Sequence, residues 1–225
     1  MAPPHQPQPQ PRDPGNHHHW VIGDLHGCAS SLVHLLERIP AQDRLIFCGD
    51  VINRGPAIGA CINAVWRLRA QHRAIWLMGN HERDLVQLVD RNDWLSRQHL
   101  LATATYQQLG EQRCRFWAQR LRCLPLAYWG QGWVATHAGF DPLTWQPSLE
   151  VRMAFWQRYD GRYGEVIVGH TPGPEVRHIN GIRLIDTGAC YGGQLTAYCP
   201  ETGERLQVPG VAPTPPAPRR ELLLR

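Results

Sequence analysis

The chain has 225 residues, of which 43% are hydrophobic and 19% are charged. That length is sufficient for one domain with a sizeable core, and the composition is that of an ordinary globular protein. All 23 basic residues are arginine, and the formal net charge is only +4. Such a small excess does not require a nucleic acid or a membrane surface as the partner.

The cysteines and the hydrophobic runs bear on the cellular compartment in which the protein is expected. The seven cysteines contain no Cys-x-x-Cys pair, and their odd number fits reduced thiols better than a disulfide framework. No N-terminal segment has the layout of a signal peptide, and no apolar run approaches the ~20 residues of a membrane span. We therefore predict a cytoplasmic protein without a membrane partner.

The two ends of the chain have compositions that cannot bury a core. Residues 1–18 are rich in proline and glutamine, and residues 209–225 are rich in proline. Both are predicted to be tails, and residues 19–208 are predicted to form the single domain. His17 to His19, beside the first predicted strand, are expected to be an exposed polar lead-in.

Three short apolar runs follow the first tail, each ending in a turn and then a helical pattern. The runs are Trp20–Ile22, Arg44–Cys48 and Ala74–Met78. Repeated βα units of this kind predict an α/β layered fold. Residues 91–128 break the rhythm with a helical pattern, and we interpret them as a helical cap inserted between strands.

Strand-type runs return in the second half of the chain. Trp133–Thr136 and Val166–Val168 each end at a turn that contains a histidine, and residues 181–185 and 194–198 are further β-type runs. The whole pattern predicts a mixed α/β domain with several strand ends that carry polar groups.

Carboxylate, amide and imidazole side chains gather at five of these strand ends. In an open α/β sheet, ligands collect at the carboxyl ends of the strands. These ligand types, without thiolates, suit a pair of divalent ions better than a structural zinc ion. Such a pair, ~3.5–4 Å apart, lowers the pKa of a shared water and clamps the oxygens of an in-line displacement at phosphorus. The residues are Asp24, His26, Asp50, Asn80, His81, His137 and His170.

Taken singly, each of these residues has a simpler explanation. A lone aspartate or histidine at a strand end is more often a hydrogen-bonded structural residue or a helix cap. Their joint spacing favours metal binding instead. Two neighbours stay open: Glu82 could support a ligand or complement the first turn of a helix, and Asp186 is better explained as a turn former than as a ligand.

The five turns carry motifs in a fixed order along the chain. The motifs are Gly23-Asp24-Leu25-His26-Gly27, Gly49-Asp50-x-x-x-Arg54-Gly55, Gly79-Asn80-His81-Glu82, His137-Ala138-Gly139 and Gly169-His170-Thr171. Over about residues 20–200 the chain thereby resembles the calcineurin-like metallophosphoesterases, within them the phosphoprotein phosphatase branch and its bacterial relatives. The resemblance implies a β-sandwich flanked by helices, in four layers α/β/β/α.

The resemblance also implies a role for each matching residue. Arg54 would bind the oxygens of the phosphate, and His81 would protonate the leaving oxygen as the general acid. The nucleophile would be a hydroxide that bridges two divalent ions, with manganese expected first and iron, zinc, cobalt or nickel as alternatives. The implied metal ligands are Asp24 and His26 for the first ion, Asp50 as the bridge, and Asn80, His137 and His170 for the second.

A second phosphate-binding arginine is usual in the family. The segment after His137 offers Arg152, Arg158 and Arg162, and the sequence does not choose among them.

Asn53 departs from the pattern of the protein phosphatases, which typically have an aspartate there, paired with the histidine that matches His81. An amide can orient His81 but cannot stabilise its cation. We therefore predict a more acidic pH optimum than that of an Asn53→Asp variant. The resemblance implies His81, Arg54 and Asn53 as the catalytic group.

The substrate class stays divided between two readings. Relatives that split dinucleoside tetraphosphates often carry a neutral residue at the position of Asn53, followed by Arg/Lys-Gly-Pro. In contrast, Gly169-His170-Thr171-Pro172 and the compact body resemble the small bacterial protein phosphatases. Pro172 stands where nuclease and cyclic-phosphodiesterase branches usually have a second histidine, which argues against those branches.

We predict a binuclear-metal phosphoesterase, in the first place a bacterial serine/threonine protein phosphatase-like enzyme. The alternative is a dinucleoside tetraphosphatase or polyphosphatase that acts on phosphoanhydrides. An inactive metal-binding adaptor is disfavoured because all six implied ligands are present. The expected partner is a phosphoprotein or a nucleotide polyphosphate, not a specific nucleic acid.

Overall fold

The computed structural model describes residues 17–91 and 93–212. Most of both predicted tails lies outside the described residues, so their nature stays a prediction. The expected exposed lead-in is wrong for His18, which is 6% exposed. Its backbone N–H donates to Asp43 at 3.3 Å and its carbonyl accepts from the backbone of Arg44, because strand pairing begins one residue later.

The described residues contain twelve strands, six α-helices and one short 3-10 helix. The strands are β1 His19–Ile22, β2 Arg44–Phe47, β3 Ala74–Trp76, β4 Ala127–Trp129, β5 Trp133–Thr136, β6 Gly139–Phe140, β7 Pro147–Ser148, β8 Glu165–Val168, β9 Arg177–Ile179, β10 Ile182–Leu184, β11 Gln194–Tyr198 and β12 Arg205–Pro209. The helices are α1 Ala29–Leu36, α2 Ile58–Ala70, α3 Asn80–Arg91, α4 Trp94–Ala102, α5 Ala104–Leu121, α6 Met153–Arg158 and the 3-10 helix Ala189–Tyr191.

Ten of the strands form two five-stranded mixed sheets. The order in the first sheet is β12-β11-β1-β2-β3, and in the second it is β4-β5-β8-β10-β9. Strands β1, β2 and β3 run parallel, as do β5, β8 and β10, so each sheet has a parallel centre. The remaining pair, β6 and β7, forms a small hairpin.

Side chains alternate across β1 and thereby define the layers. Trp20 and Ile22 belong to the core cluster that contains the apolar faces of α1 and α2, whereas Val21 packs between the sheets with Ala135 and Ile167 of the second sheet. Successive strand residues point to opposite faces, so one strand contributes to both cores. The two sheets are therefore stacked as a sandwich.

A third cluster covers the outer face of the second sheet. It joins β5, β8 and β10 to Phe140 of the hairpin and to Phe155 of α6. The predicted α/β fold with a helix-flanked sandwich is thus confirmed, although the outer layer on this side consists of one short helix and a hairpin. Residues 91–128, the predicted cap, contain α4 and α5 and end inside β4.

Candidate active site

Five strands deliver the polar groups named from the sequence to one edge of the sandwich. Asp24 and His26 follow β1, and Asp50 follows β2. Asn80 and His81 begin α3 after β3, and the remaining two histidines follow β5 and β8. These strands run parallel within each sheet, so their carboxyl ends meet at the same edge.

The backbone at this edge is held in an unusual conformation. Asp50, Asn53 and Arg54 have φ angles of 48°, 66° and 68°, and His26 and His170 have φ angles of 43° and 65°. Left-handed residues other than glycine cost ~1–3 kcal/mol each and concentrate at functional sites. Five of the predicted site residues therefore share a backbone conformation that is concentrated at functional sites in proteins.

The first group of ligand atoms lies around His26. Its Nε2 atom is 3.4 Å from Oδ2 of Asp50 and 4.0 Å from Oδ2 of Asp24. Its Nδ1 atom lies 2.7 Å from the carbonyl oxygen of Ile52, an acceptor, so Nδ1 carries the hydrogen. The lone pair of Nε2 therefore faces the two carboxylates, in the arrangement of a metal-binding histidine.

The second group lies around the amide oxygen of Asn80. That oxygen is 2.9 Å from Nε2 of His137 and 3.1 Å from Nδ1 of His170, and the two ring nitrogens are 3.1 Å apart. Nδ1 of His137 lies 2.8 Å from the carbonyl of Cys48 and donates to it. Nε2 of His137 is thereby left as a lone pair, 3.7 Å from Oδ2 of Asp50.

Oδ2 of Asp50 is the atom common to both groups. Two sets of metal-ligating atoms that lie within 4.8 Å of one another both include Asp50, one with Asp24 and His137 and the other with His26 and His81. Lone pairs that converge in this way repel one another unless a cation lies among them. The donor set of carboxylate, imidazole and amide oxygen therefore fits two divalent ions.

The electrostatics of the site agree with this fit. Burial raises the pKa of Asp24 well above its usual value and that of Asp50 to about 7. Burial also lowers the pKa of His26 well below its usual range, and the pKa values of His137 and His170 to about 4. Neutral imidazoles are the form that binds metals, and a cation among the buried carboxylates would stabilise their charge.

The contacts of Glu82 show which residues it supports, a question that the sequence leaves open. It is fully buried, and its Oε2 accepts from the backbone N–H groups of Asp50 at 2.7 Å and Gly79 at 3.0 Å. Its Oε1 accepts from Val51 at 2.9 Å and Ile52 at 3.4 Å. Burial and the charge of Asp50 raise the pKa of Glu82 to about 8. Glu82 is the support of the Asp50 loop.

The catalytic group predicted from the sequence lies beside these ligands. Nδ2 of Asn53 is 2.8 Å from Nδ1 of His81, and Nη2 of Arg54 is 3.2 Å from Nε2 of His81. Burial, followed by the charge of Arg54, lowers the pKa of His81 to about 4. The Arg54 guanidinium also contacts the hydroxyl and ring of Tyr191.

A cavity of about 60 Å³ opens between these groups, and its lining adds residues to the predicted set. Arg152 lines it, with its Nε 3.3 Å from the hydroxyl of Thr171, and of the three arginines that the sequence offers it is the one among the lining residues. Arg162 instead pairs with Asp160 at 2.7 Å. Wider clefts of about 440 and 460 Å³ on the helical side contain none of the site's groups.

Two further lining residues were not assigned to the site from the sequence. Asp186 forms the expected turn by accepting from Gly188 at 3.0 Å, but it also lines the cavity. Tyr191 lines it as well, from the 3-10 helix between two left-handed glycines. The run Gly188-Ala189-Cys190-Tyr191-Gly192-Gly193 was the available signal, since glycines of this kind let a backbone turn sharply at a site.

A family model described as calcineurin-like phosphoesterase matches residues 18–199. The chain belongs to the calcineurin-like phosphoesterase family. This calcineurin-like phosphoesterase is therefore a metal-dependent hydrolase, and its clustered ligand atoms fit the binuclear divalent metal centre that the family uses.

Two kinds of relative resemble this phosphoesterase over most of its length. The symmetrical bis(5'-nucleosyl)-tetraphosphatase of Xanthomonas oryzae is 30% identical, with 88% of this chain and 86% of the relative covered. Serine/threonine-protein phosphatase 1 of Salmonella typhimurium is also 30% identical, with 80% and 90% covered. The asymmetrical tetraphosphatase of Bacillus cereus is 28% identical, with 86% and 94% covered.

Solved structures confirm the fold of this phosphoesterase. A protein described as a diadenosine tetraphosphatase superposes with a TM-score of 0.67 at 21% identity, over 88% of this chain and 96% of its own. A yeast protein serine/threonine phosphatase superposes with a TM-score of 0.60 at 14% identity, over 89% and 82%. Within the described residues, no helix is long and apolar enough to cross a membrane.

Proposed function

We propose that the site binds two divalent ions and hydrolyses a phosphate ester or anhydride. The observation that carries the proposal is the position of Asp50, whose Oδ2 lies 3.4 Å from Nε2 of His26 and 3.7 Å from Nε2 of His137. A carboxylate oxygen placed between two imidazole lone pairs is suited to bridge two ions. The proposed ligands are Asp24, His26 and Asp50 for one ion and Asp50, Asn80, His137 and His170 for the other.

Two divalent ions held by these residues would supply a water of lowered pKa as the nucleophile and would neutralise charge at phosphorus. Manganese is the first expectation, with iron, zinc, cobalt or nickel as alternatives, because carboxylate, amide and imidazole ligands suit several such ions. Glu82 accepts from four backbone N–H groups and thereby orients the loop of Asp50. The carbonyl of Cys48 accepts from Nδ1 of His137 at 2.8 Å and thereby orients that ring.

The chain's own residues orient the substrate. Arg54 and Arg152 both line the cavity, and each has a guanidinium whose N–H groups can donate to the oxygens of a phosphoryl group. His81 faces the same cavity and lies next to Arg54, where it is placed to act on the leaving oxygen. The catalytic group we propose is therefore His81, Arg54 and Asn53, with Arg152 as the second phosphate-binding arginine.

Two substrate readings fit these groups. A serine/threonine protein phosphatase-like activity is supported by the Salmonella relative, and the compact length of that relative suits this chain. The alignment with the Xanthomonas tetraphosphatase spans 277 positions, more than the 225 residues here, so that relative has segments which this chain lacks. The substrate would be a phosphoprotein in the first reading and a nucleotide polyphosphate in the second.

The location we propose is the cytoplasm. Six of the seven cysteines are buried and all seven are unpaired, which suits a reducing compartment.

The proposal is tested by turnover of three substrates before and after metal is added. Protein stripped of metal with a chelator and then reloaded with Mn²⁺ is assayed on a phosphoserine peptide, diadenosine tetraphosphate and a chromogenic monoester. We expect metal-dependent release of phosphate or nucleotide from at least one substrate. Metal binding without turnover of any of them would instead support an inactive adaptor.

A further inference from the structure

An ion pair joins the first turn of α3 to the segment between β7 and α6. Nη2 of Arg83 lies 2.5 Å from Oε1 of Glu150 and 2.7 Å from Oδ1 of Asp84. Asp84 is the next residue on the same helix, whereas Glu150 lies 67 residues further along the chain. The contact with Glu150 therefore ties α3 to the segment that carries Arg152.

Arg152 is held at the cavity through the Nε side of its guanidinium. Its Nε donates to the hydroxyl of Thr171 at 3.3 Å, and the residue lines the cavity. The four N–H groups on the two Nη atoms of an arginine form a fork that suits the oxygens of a phosphoryl group. The carboxylate nearest to Arg152 in the sequence is that of Glu150, and Arg83 binds it. Arg152 can present its fork to a substrate only while no carboxylate occupies the fork.

Glu150 lies within the influence of both arginines. The hydrogen bond and the charge of Arg83 lower the pKa of Glu150 most, and the charges of His170 and Arg152 contribute less. The side chain of Glu150 is 63% exposed, so little packing limits the direction in which it points. Arginine and carboxylate groups readily form bidentate pairs. A Glu150 side chain released from Arg83 would therefore turn to Arg152, two residues away.

We propose that Arg83 binds Glu150 so that this carboxylate neither pairs with Arg152 nor repels the phosphoryl group, and that Arg152 is thereby kept available for the substrate. This inference rests on the proposed hydrolysis of a phosphate ester or anhydride at the same site. It deepens that proposal by naming the residue that controls the second phosphate-binding arginine. Arg83 is a positioning residue, because it acts through Glu150 and Arg152.

The proposal differs from a purely mechanical role of the ion pair. If the pair only tied α3 to the segment of Arg152, loss of either partner would damage the site equally. In our proposal the two partners are unequal, because loss of Arg83 releases a competing carboxylate and loss of the Glu150 charge removes the competitor. Exposed ion pairs add little to the stability of a fold. Variants at both positions should therefore stay folded, which their melting temperatures verify.

The test compares the wild type, Arg83→Ala, Glu150→Gln and the double variant, each loaded with Mn²⁺. Calorimetric titration with inorganic phosphate measures anion binding, and kcat/KM on a chromogenic monoester measures turnover. We expect Arg83→Ala to weaken both by roughly 3–10-fold, since an exposed pair competes modestly and the unpaired carboxylate repels the anion. Glu150→Gln and the double variant should stay within about twofold of the wild type, because neither contains the competing charge.

Salt and two control variants separate competition from general damage. The ratio of phosphate affinity between Arg83→Ala and the wild type should approach one at high salt, because salt screens a pair of exposed charges. Asp84→Asn removes the second carboxylate bound to Arg83 and should bind phosphate as the wild type does. Arg122→Ala breaks another exposed ion pair, with Asp90, and Arg122 is not among the residues that line the cavity. Arg83→Met, which keeps an aliphatic side chain, replaces Arg83→Ala if that variant is unstable.

Two results would overturn the inference. One is a double variant that binds phosphate as weakly as Arg83→Ala, and the other is a Glu150→Gln variant that is as impaired as Arg83→Ala. Failure of the proposed function gives a different outcome, since the wild type would then turn over no substrate in the presence of metal. The order of phosphate affinities among the four proteins would still decide the role of Arg83. A wild type that binds no phosphate would contradict that role as well.

Discussion

The two carboxylate oxygens of Asp50 make different contacts. Oδ1 accepts from the backbone N–H of His81 at 3.0 Å, which fixes the carboxylate in one orientation. Oδ2 is thereby left to face His26 and His137 at 3.4 and 3.7 Å. A Cβ atom at Gly79 would collide with Oδ1, so the glycine of that motif is required by close approach.

Asn53 is predicted to set the pH dependence of the reaction through its contact with His81 at 2.8 Å. Burial and Arg54 lower the pKa of His81 to about 4, and an aspartate at position 53 would raise it by accepting from Nδ1. The protonated ring is lost as pH rises through its pKa. On a phosphoserine peptide, the alkaline limb of the pH–rate profile should therefore lie at higher pH for Asn53→Asp than for the wild type. An unmoved limb would show that the two side chains do not act as a pair.

Arg152 is predicted to contribute to binding of the phosphoryl group. A hydrogen bond to a charged group is worth ~1.5–3 kcal/mol, so Arg152→Ala should lower kcat/KM by roughly 10–100-fold. Arg158→Ala and Arg162→Ala are matched controls, since neither residue lines the cavity as described. Steady-state kinetics of the three variants decide the assignment, and a control variant as damaged as Arg152→Ala would contradict it.

At the scale of elements, two helices hold the loops that carry the site. Glu82 at the start of α3 receives four backbone N–H groups, three of them from residues 50–52. On the other side, Gln108 of α5 donates to the carbonyl of Gly55 at 2.8 Å and accepts from Ile58 at 2.9 Å. The Asp50 and Arg54 turns are therefore fixed between α3 and α5.

Glu82→Gln tests the first of these supports. The substituted amide would place an NH₂ group against backbone N–H groups, and a buried unsatisfied group costs ~1–3 kcal/mol. We expect a lower free energy of unfolding by that amount and weaker metal binding, measured by thermal unfolding and by calorimetric titration with Mn²⁺. Glu111→Gln, on the exposed face of α5, is the control, and equal effects of both variants would remove the special role of Glu82.

How far the sequence predicts the site depends on whether a contact is local. The strand-end turns that hold Asp50 or His137 are visible because apolar run, glycine and ligand are neighbours in the chain. The backbone N–H of Asn53 donates to the hydroxyl of Thr105, and Arg54 contacts Tyr191, across separations of 52 and 137 residues that no local pattern encodes. The choice of Arg152 likewise needed the path of the loop after β5.

At the scale of the whole molecule, the sandwich was predictable from the sequence, but the difference between its two outer layers was not. Short apolar runs that are each followed by a helical pattern indicate a fold with helices on sheet faces. The sequence does not show that the outer face of the second sheet is covered mostly by aromatic side chains. The ring centroid of Phe140 lies 5.9 Å from that of Phe155 and 4.7 Å from that of Tyr163. Those contacts depend on tertiary packing between distant segments.

Stability should depend on pH and on metal together. The pKa values of Asp50 and Glu82 are raised to about 7 and 8, so the metal-free folded state binds more protons than the unfolded state and loses stability as pH rises toward 8. His137 and His170, with pKa values lowered to about 4, act oppositely but only below about pH 6.5.

We therefore expect the metal-free protein to lose stability between about pH 6.5 and 8, and Mn²⁺ to raise the melting temperature more at pH 8 than at pH 6. Thermal unfolding at both pH values, with and without the ion, measures this. A metal effect that is equal at the two pH values would mean that proton release from these carboxylates is not linked to metal binding.

The central claim is that Asp50 joins two ions into one reaction centre. Metal content per chain, measured by mass spectrometry after loading with Mn²⁺ and removal of free metal, tests it most directly. The account predicts two ions in the wild type, and in Asp50→Asn a loss of bound metal together with loss of phosphate release. Asp90→Asn, which changes an exposed aspartate paired with Arg122, should keep both ions. Two ions bound to Asp50→Asn, or turnover at the wild-type rate, would contradict the claim.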